Sequence, residues 1–256
     1  NITKKSIIGG GLTHDSVGNI YVTTSMGELL SISIKDGTIN WRIEVDAPIL
    51  SAPTVVNTDV FFTDTSSISR SFSLKGQLNW SVKGITNNQV RSRTGSPISM
   101  GELVLLSSPS GVLSAVDIKT GVESWNYEFK MSRTGFTQNT FGTFDGVPSV
   151  HDGKVYVGSV SGQFAALNVD GDILWESPIG IQGSSLLVSN SIFLVSDTNE
   201  LIRLDKLDGS IIWSQKLAKN NERHGYYSPI LIGSEIWIAG SDGKLSSYDP
   251  LTGNNV

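Results

Sequence analysis

The chain has 256 residues, of which 38% are hydrophobic and 17% charged, and a net charge of −5. That balance offers no basic face for nucleic acid, and no apolar run approaches the roughly 18–20 residues of a membrane-crossing helix. The chain has no cysteine, which excludes disulfides, thiolate metal sites and a cysteine nucleophile.

The chain opens at Asn1 with neither an initiating methionine nor a signal sequence, and so reads as processed or trimmed. Residues 1–8 lead into Gly9-Gly10-Gly11, which reads as tight packing, because no strand–helix unit follows to make a nucleotide site. A β-branched run, NIYVTT (19–24), comes next. It is followed by an alternating run, LLSISI (29–34), a turn at Asp36-Gly37 and a short segment ending in Trp41. Period-two alternation buries one face of a strand, and Asp-Gly permits positive φ in a tight turn, so this stretch predicts a hairpin.

The same order then recurs. A run with a proline and small polar residues (SAPTVV, GSPISM, GVPSVH, YSPILI) precedes a β-branched or aromatic run (DVFFTD, ELVLLS, KVYVGS, SIFLVS, EIWIAG). A hairpin phrase closes each unit: KDGTINW, LKGQLNW, KTGVESW, VDGDILW and LDGSIIW, with Trp41, Trp80, Trp125, Trp175 and Trp213 each four residues after a glycine. A repeat of about 40 residues with four short strands predicts an all-β fold, a β-propeller of four-stranded blades. Six repeats fall near 9–45, 51–83, 95–129, 146–178, 184–217 and 227–256, and they form one domain spanning 1–256. The sixth has its hairpin glycine at Gly253 and stops one residue before the place of its tryptophan. Either residues 1–8 supply the missing strand and close a six-bladed ring, or the chain is a piece of a larger propeller; the reading favours the piece. The repeated tryptophans are expected to pack across to the next blade and to find a partner for the indole N–H. Trp237 stands apart, in the second strand of its unit.

No catalytic set emerges. His14, His151 and His224 are too widely spaced for a local metal motif; the first two read as structural or solvent-facing, and His224 as contact surface. Asn168, Asp170 and Asp172 resemble half of a calcium loop but coincide with the hairpin turn and lack a distal glutamate, so they read as a plain turn. No catalytic residue, cofactor or metal is expected.

The departures from the repeat are more informative. The longest intervals between the repeated tryptophans come from the connections at 84–95 and 130–146. Both follow an outer strand and lead to the next inner strand, so both are expected on one face of neighbouring blades. They contain Arg91, Arg93, Arg133, Phe136, Phe141, Phe144 and Asp145. Arginine interleaved with aromatics is the composition of a protein-binding patch. The loop at 218–227, with Arg223, His224, Tyr226 and Tyr227, would extend the face.

The repeated phrase resembles the quinoprotein-type propeller repeat. The stretches VRSRTGSP (90–97), FGTFDGVPSVHDGKVYVGSVSGQFAALNVDGDILW (141–175) and SSLLVSNSIFLVSDTNELIRLDKLDGSIIW (184–213) together resemble the BamB family, lipoproteins of the outer-membrane β-barrel assembly machinery. The resemblance implies an eight-bladed, non-enzymatic scaffold at the periplasmic face of the outer membrane of a Gram-negative bacterium. Its only tie to the membrane would be a lipidated N-terminal cysteine absent from this chain. The implied partner is the POTRA domains of the barrel-inserting subunit BamA, with nascent outer-membrane proteins as further candidates for a sheet edge or the central mouth. Carried over, the contact falls on Arg91 or Arg93 and on Asp145. Here the arginine follows Val90 where the family has leucine, and Thr143 stands where a second acid would be. The other readings are a generic interaction scaffold and a pyrroloquinoline quinone dehydrogenase. The latter family shares the repeat but needs a calcium-held quinone and carries a vicinal cysteine pair that this chain lacks.

Overall fold

The computed structural model describes residues 10–85, 95–108, 110–129, 146–160, 162–217 and 225–256. Among these, every regular element is a β-strand, and the chain divides into two compact units, Asn1–Asn126 and Tyr127–Val256.

The first unit contains three antiparallel sheets in which neighbours in sequence are neighbours in space. They are β1 (Gly10–His14), β2 (Asn19–Thr24), β3 (Glu28–Ser33) and β4 (Ile39–Glu44); then β5 (Thr54–Val56), β6 (Asp59–Thr63), β7 (Ile68–Ser73) and β8 (Leu78–Lys83); then β9 (Ile98–Met100), β10 (Leu103–Ser107), β11 (Val112–Asp117) and β12 (Glu123–Glu128), the last reaching just past the division. The second unit contains β13 (Ser149–His151), β14 (Lys154–Ser159), β15 (Gln163–Leu167) and β16 (Ile173–Ser177); β17 (Ile181–Val188), β18 (Ser191–Ser196), β19 (Glu200–Asp205) and β20 (Ile211–Lys216); and a three-stranded sheet of β21 (Ile230–Ile232), β22 (Glu235–Ala239) and β23 (Leu245–Tyr248). Beyond β23 the chain turns back, and the Val256 amide donates to the Ser247 carbonyl at 3.0 Å.

The proline-bearing runs make strands of only three residues, because Pro53, Pro97, Pro148 and Pro229 each stand immediately before the first paired residue. Proline has no amide to give to a ladder, so the pairing starts after it. β17 has no proline and runs eight residues.

Within each unit the apolar core lies in the seams between successive sheets. Tyr21, Leu29 and Ile49 meet Val60, Phe62 and Phe72 in the first seam, and Phe61 and Trp80 meet Val104, Leu106, Val116 and Ile118 in the second. Val60 and Phe62 thus face one neighbour while Phe61 faces the other, which is the period-two alternation of a strand buried on both sides. This explains why β6 has four buried residues in succession, whereas β4, β16 and β20 are made of exposed and half-buried residues, as is β8 apart from buried Trp80. In the second unit, Phe164, Ile179 and Ile181 pack on Ile192, Leu194 and Ile202, and Phe193, Val195 and Leu201 pack on Ile236, Ile238 and Tyr248.

The hairpin phrase joins the sheets. The Trp41 indole donates to the Leu74 carbonyl at 3.0 Å, Trp80 to Ile118 at 2.9 Å, Trp175 to Lys206 at 3.3 Å and Trp213 to Pro250 at 3.2 Å, each acceptor lying on the following sheet. The glycine of that following hairpin lies against the same ring. A Cβ on Gly121 would fall 2.7 Å from Trp80 Cδ2, and one on Gly209 would fall 2.4 Å from Trp175 Cε3. Both glycines also have positive φ, +71° and +73°. So the phrase is two half-contacts: the tryptophan reaches forward to the next sheet, and the glycine receives the tryptophan of the one before. In the first hairpin only the glycine, not Asp36, has positive φ, and the pairing shifts register where Ser31 meets Trp41 and Ile32 meets Ile39, so the turn is longer than a two-residue Asp-Gly hairpin.

Candidate functional site

The connections between the last strand of one sheet and the first of the next are anchored in a repeated way. In the short connection 45–53, the Val45 amide donates to Gly27 O at 2.8 Å and the Ile49 amide to Thr24 O at 3.3 Å, both in the β2–β3 turn. From the next sheet, the Thr65 amide donates to Pro48 O at 2.9 Å. This connection is therefore held by the turn of its own sheet and by the turn of the following one.

The stem of the first insertion repeats this. The Gly84 amide donates to Ser67 O at 2.7 Å, and the Ser110 hydroxyl donates to Ile85 O at 2.7 Å. The chain returns at buried Gly95 and Pro97, whose carbonyl accepts from the Thr54 hydroxyl.

The second insertion leaves from Phe129, which is buried edge-on to Tyr127 at 5.1 Å. The Tyr127 hydroxyl donates to Glu176 Oε1 at 2.7 Å, and Gln163 Nε2 donates to the same oxygen at 2.8 Å. Burial, then the Glu176 carboxylate, push the ionisation of this hydroxyl far above the ordinary tyrosine range, so it remains a donor. The chain returns at Gly146, where a Cβ would overlap the Gly183 carbonyl; the Val147 amide donates to Ser184 Oγ at 2.8 Å and Ser149 Oγ to the Ser185 carbonyl at 2.9 Å.

In the third loop the Leu217 amide donates to Asn199 O at 3.0 Å, and on return the Ser241 amide donates to Gly225 O at 2.8 Å. Tyr227 is 64% exposed, as a contact residue should be, whereas Tyr226 is half-buried and packs into the last seam.

The residues singled out from sequence, Arg91, Arg93, Arg133, Phe136, Phe141, Phe144 and Asp145, lie outside the described residues, as do Gly9, Arg223 and His224. The structure describes the stems that carry them. His14 Nδ1 sits 3.0 Å from Asp15 O, and His151 Nδ1 lies 2.9 Å from Asp152 Oδ2 and 3.4 Å from Lys206 Nζ. Asn168 Oδ1 accepts from the Asp170 and Asp172 amides at 2.9 and 2.8 Å, so it is spent on the turn as expected. Gly11 does pack tightly: a Cβ there would fall 2.5 Å from Ala52 Cβ.

Sequence reasoning overlooked the turns that receive the connections. They need one residue with positive φ, filled by Gly27, Gly111, Gly162 and Gly243 but by Ser67 (+59°) and Asn199 (+61°) in two sheets. The signal was a glycine or small polar residue at a fixed distance after each β-branched run, hidden by the change of residue type.

Comparison with known proteins adds the family. A family model described as outer membrane protein assembly factor BamB matches residues 3–215 and 131–256. The chain is 29% identical to outer membrane protein assembly factor BamB of Moranella endobia over 245 residues, covering 93% of this chain and 61% of that protein. It therefore spans about three fifths of the length of such curated relatives. The crystal structure of BamB from Moraxella catarrhalis superposes with a TM-score of 0.86 at 20% identity, over 97% of this chain and 75% of that one. A quinohemoprotein alcohol dehydrogenase from Pseudomonas putida HK5 superposes at 0.63 with 14% identity, over 83% of this chain and 42% of that one, a likeness of fold alone. The architecture is a β-propeller of four-stranded blades, as the repeat predicted. With a match that runs over nearly its whole length, the chain belongs to the BamB family of outer membrane protein assembly factors.

Proposed function

We propose that this chain is a rigid, non-enzymatic platform in the assembly of outer-membrane β-barrel proteins. In this reading its sheets form one propeller domain, anchored by lipid at the periplasmic face of the outer membrane. The inserted connections at 84–95 and 130–146 grip the periplasmic POTRA domains of the barrel-inserting subunit, a BamA-like protein. The observation that carries the reading is a family match along nearly the whole chain combined with a repeat whose longest interruptions are these two connections. The stems support it, since that of 84–95 is bonded to buried Ser67 and Ser110 in two turns and that of 130–146 to Ser184 and Ser185 of the next sheet. A loop so held loses less conformational freedom when it binds.

Arg91 and Arg93 are the proposed principal contacts, with Asp145 opposite a basic group of the partner and Arg133, Phe136, Phe141 and Phe144 completing the patch. The test is a pull-down and titration of the periplasmic domains of the BamA-like subunit against this chain and its Arg91→Glu and Arg93→Glu variants. At least one reversal should weaken binding by about 2–5 kcal/mol, the usual range for truncating a buried interfacial charge, with the β-sheet circular dichroism unchanged. Undiminished affinity in both reversals overturns the site assignment, and no binding by the folded parent chain overturns the partner.

A further inference from the structure

The hairpins of the two units differ at one place. The residue before the tryptophan is Asn40, Asn79 and Ser124 in the three sheets of the first unit. Asn40 Nδ2 donates to Asn19 Oδ1 at 3.0 Å and Ser31 Oγ at 3.2 Å, and Asn79 Nδ2 donates to Asp59 Oδ1 at 2.8 Å and Ser71 Oγ at 3.1 Å. In the fourth and fifth sheets, both in the second unit, the same place holds Leu174 and Ile212, 46% and 45% exposed. Each follows another exposed apolar residue, Ile173 or Ile211. Trp175 Nε1 donates to the carbonyl of Lys206, the residue before Leu207, and Trp213 Nε1 to that of Pro250, the residue before Leu251. Leu207 and Leu251 are themselves exposed. The six apolar side chains therefore stand on three hairpins tied to one another in succession. A solitary exposed leucine needs no explanation, whereas adjoining ones mark a contact surface.

The charges on these hairpins are of one sign. Residues 168–175, 205–213 and 249–256 hold five aspartates and a single basic residue, Lys206, whose Nζ lies 3.4 Å from His151 Nδ1. The Ser210 amide holds the Asp208 carboxyl below the ordinary carboxylate range, and the Thr252 amide does the same for Asp249, so both are charged at neutral pH. Aspartates beside leucine and isoleucine repel an anionic lipid surface. They would also oppose one another if two copies joined through this face about a two-fold axis. What they complement is an apolar segment that bears lysine or arginine. We propose that these hairpins dock a cationic amphipathic segment of a partner protein. The surface shares no residue with the connections assigned to partner contact above, so either assignment can hold without the other.

The test is fluorescence anisotropy of a labelled amphipathic leucine–lysine peptide titrated with the whole chain, beside a matched leucine–glutamate peptide. Saturable binding of the lysine peptide alone is expected. The double variant Leu174→Asn, Ile212→Asn gives both places the residue of the first two sheets. It should weaken binding about tenfold or more, a change of about 1.4 kcal/mol. Asp170→Lys should act likewise through charge. The turn bond to Asn168 is made by the Asp170 amide and not by its carboxylate, so this variant keeps the test intact if the double variant does not fold. Leu78→Asn, at the exposed leucine of the second hairpin, should leave binding unchanged. No saturable binding, equal binding of the glutamate peptide, or parental affinity in every folded variant overturns the proposal. So does cosedimentation with phosphatidylglycerol vesicles, or a dimer in sedimentation velocity, that the double variant abolishes, since those outcomes assign the face to lipid or to a second copy.

Discussion

Replacing Gly121 by alanine measures the contact that joins the second and third sheets. Gly121 has φ +71°, where an L-residue costs about 1–2 kcal/mol. Its new Cβ would also stand 2.7, 2.9 and 3.0 Å from three atoms of the Trp80 ring. That ring cannot retreat: it is 8% exposed, its indole N–H is held by Ile118 O at 2.9 Å, and Phe61 lies 5.7 Å from it on the inner side. Overpacking of this kind adds about 1–3 kcal/mol. Gly37 is the internal control, since it has φ +73° in the first hairpin but nothing within 4 Å of its Cβ position, so Gly37→Ala carries the backbone cost alone. Urea unfolding followed by tryptophan fluorescence should therefore place Gly121→Ala about 1–3 kcal/mol below Gly37→Ala. In a Trp80→Leu background the extra cost should shrink, because neighbours that share a contact are not additive. Equal stabilities for the two alanine variants would refute the seam contact as the reason for the glycine.

Trp80→Phe keeps most of the ring but removes the donor to Ile118 O, and denaturant titration should show a loss of about 1–3 kcal/mol from the carbonyl left unpaired. Tyr127→Phe cuts the hydroxyl from Glu176 and should cost about 1 kcal/mol by the same measurement. Asp15 gives a pH dependence. Burial alone would raise its pKa, but hydrogen bonds from the Asn19 side chain and amide, the Tyr21 hydroxyl and the Val17 amide outweigh it and hold the value at about 2. A folded-state pKa below the unfolded one contributes stability that is fully present above about pH 4 and is lost as the pH falls toward 2. Urea midpoints between pH 5 and pH 2 should therefore fall less steeply in Asp15→Asn than in the parent chain.

Much of the architecture was legible because the determining signals are local. Alternating runs such as LLSISI read as strands with one buried face, although in the structure Leu29, Leu30 and Ser31 are buried in succession; the apolar runs such as DVFFTD define strands buried on both faces, and a turn glycine four residues before a tryptophan recurs at fixed order. These three features, repeated, specify four-stranded sheets joined in sequence, and the prolines state where the short inner strands begin. The inserted connections were equally visible, as excess length between tryptophans. What the sequence could not show is what each residue meets. That Gly121 receives the Trp80 ring, and that Ser67 takes a left-handed conformation in a turn where four other sheets use glycine, are facts of the folded structure. The separation has a physical cause. Strand formation and turn type depend on the alternation and dihedral preferences of a few consecutive residues, all written within one repeat. Seam packing depends on residues roughly forty positions apart and the anchoring of the connections on residues roughly twenty apart, whose meeting is decided only when strands and sheets close on each other.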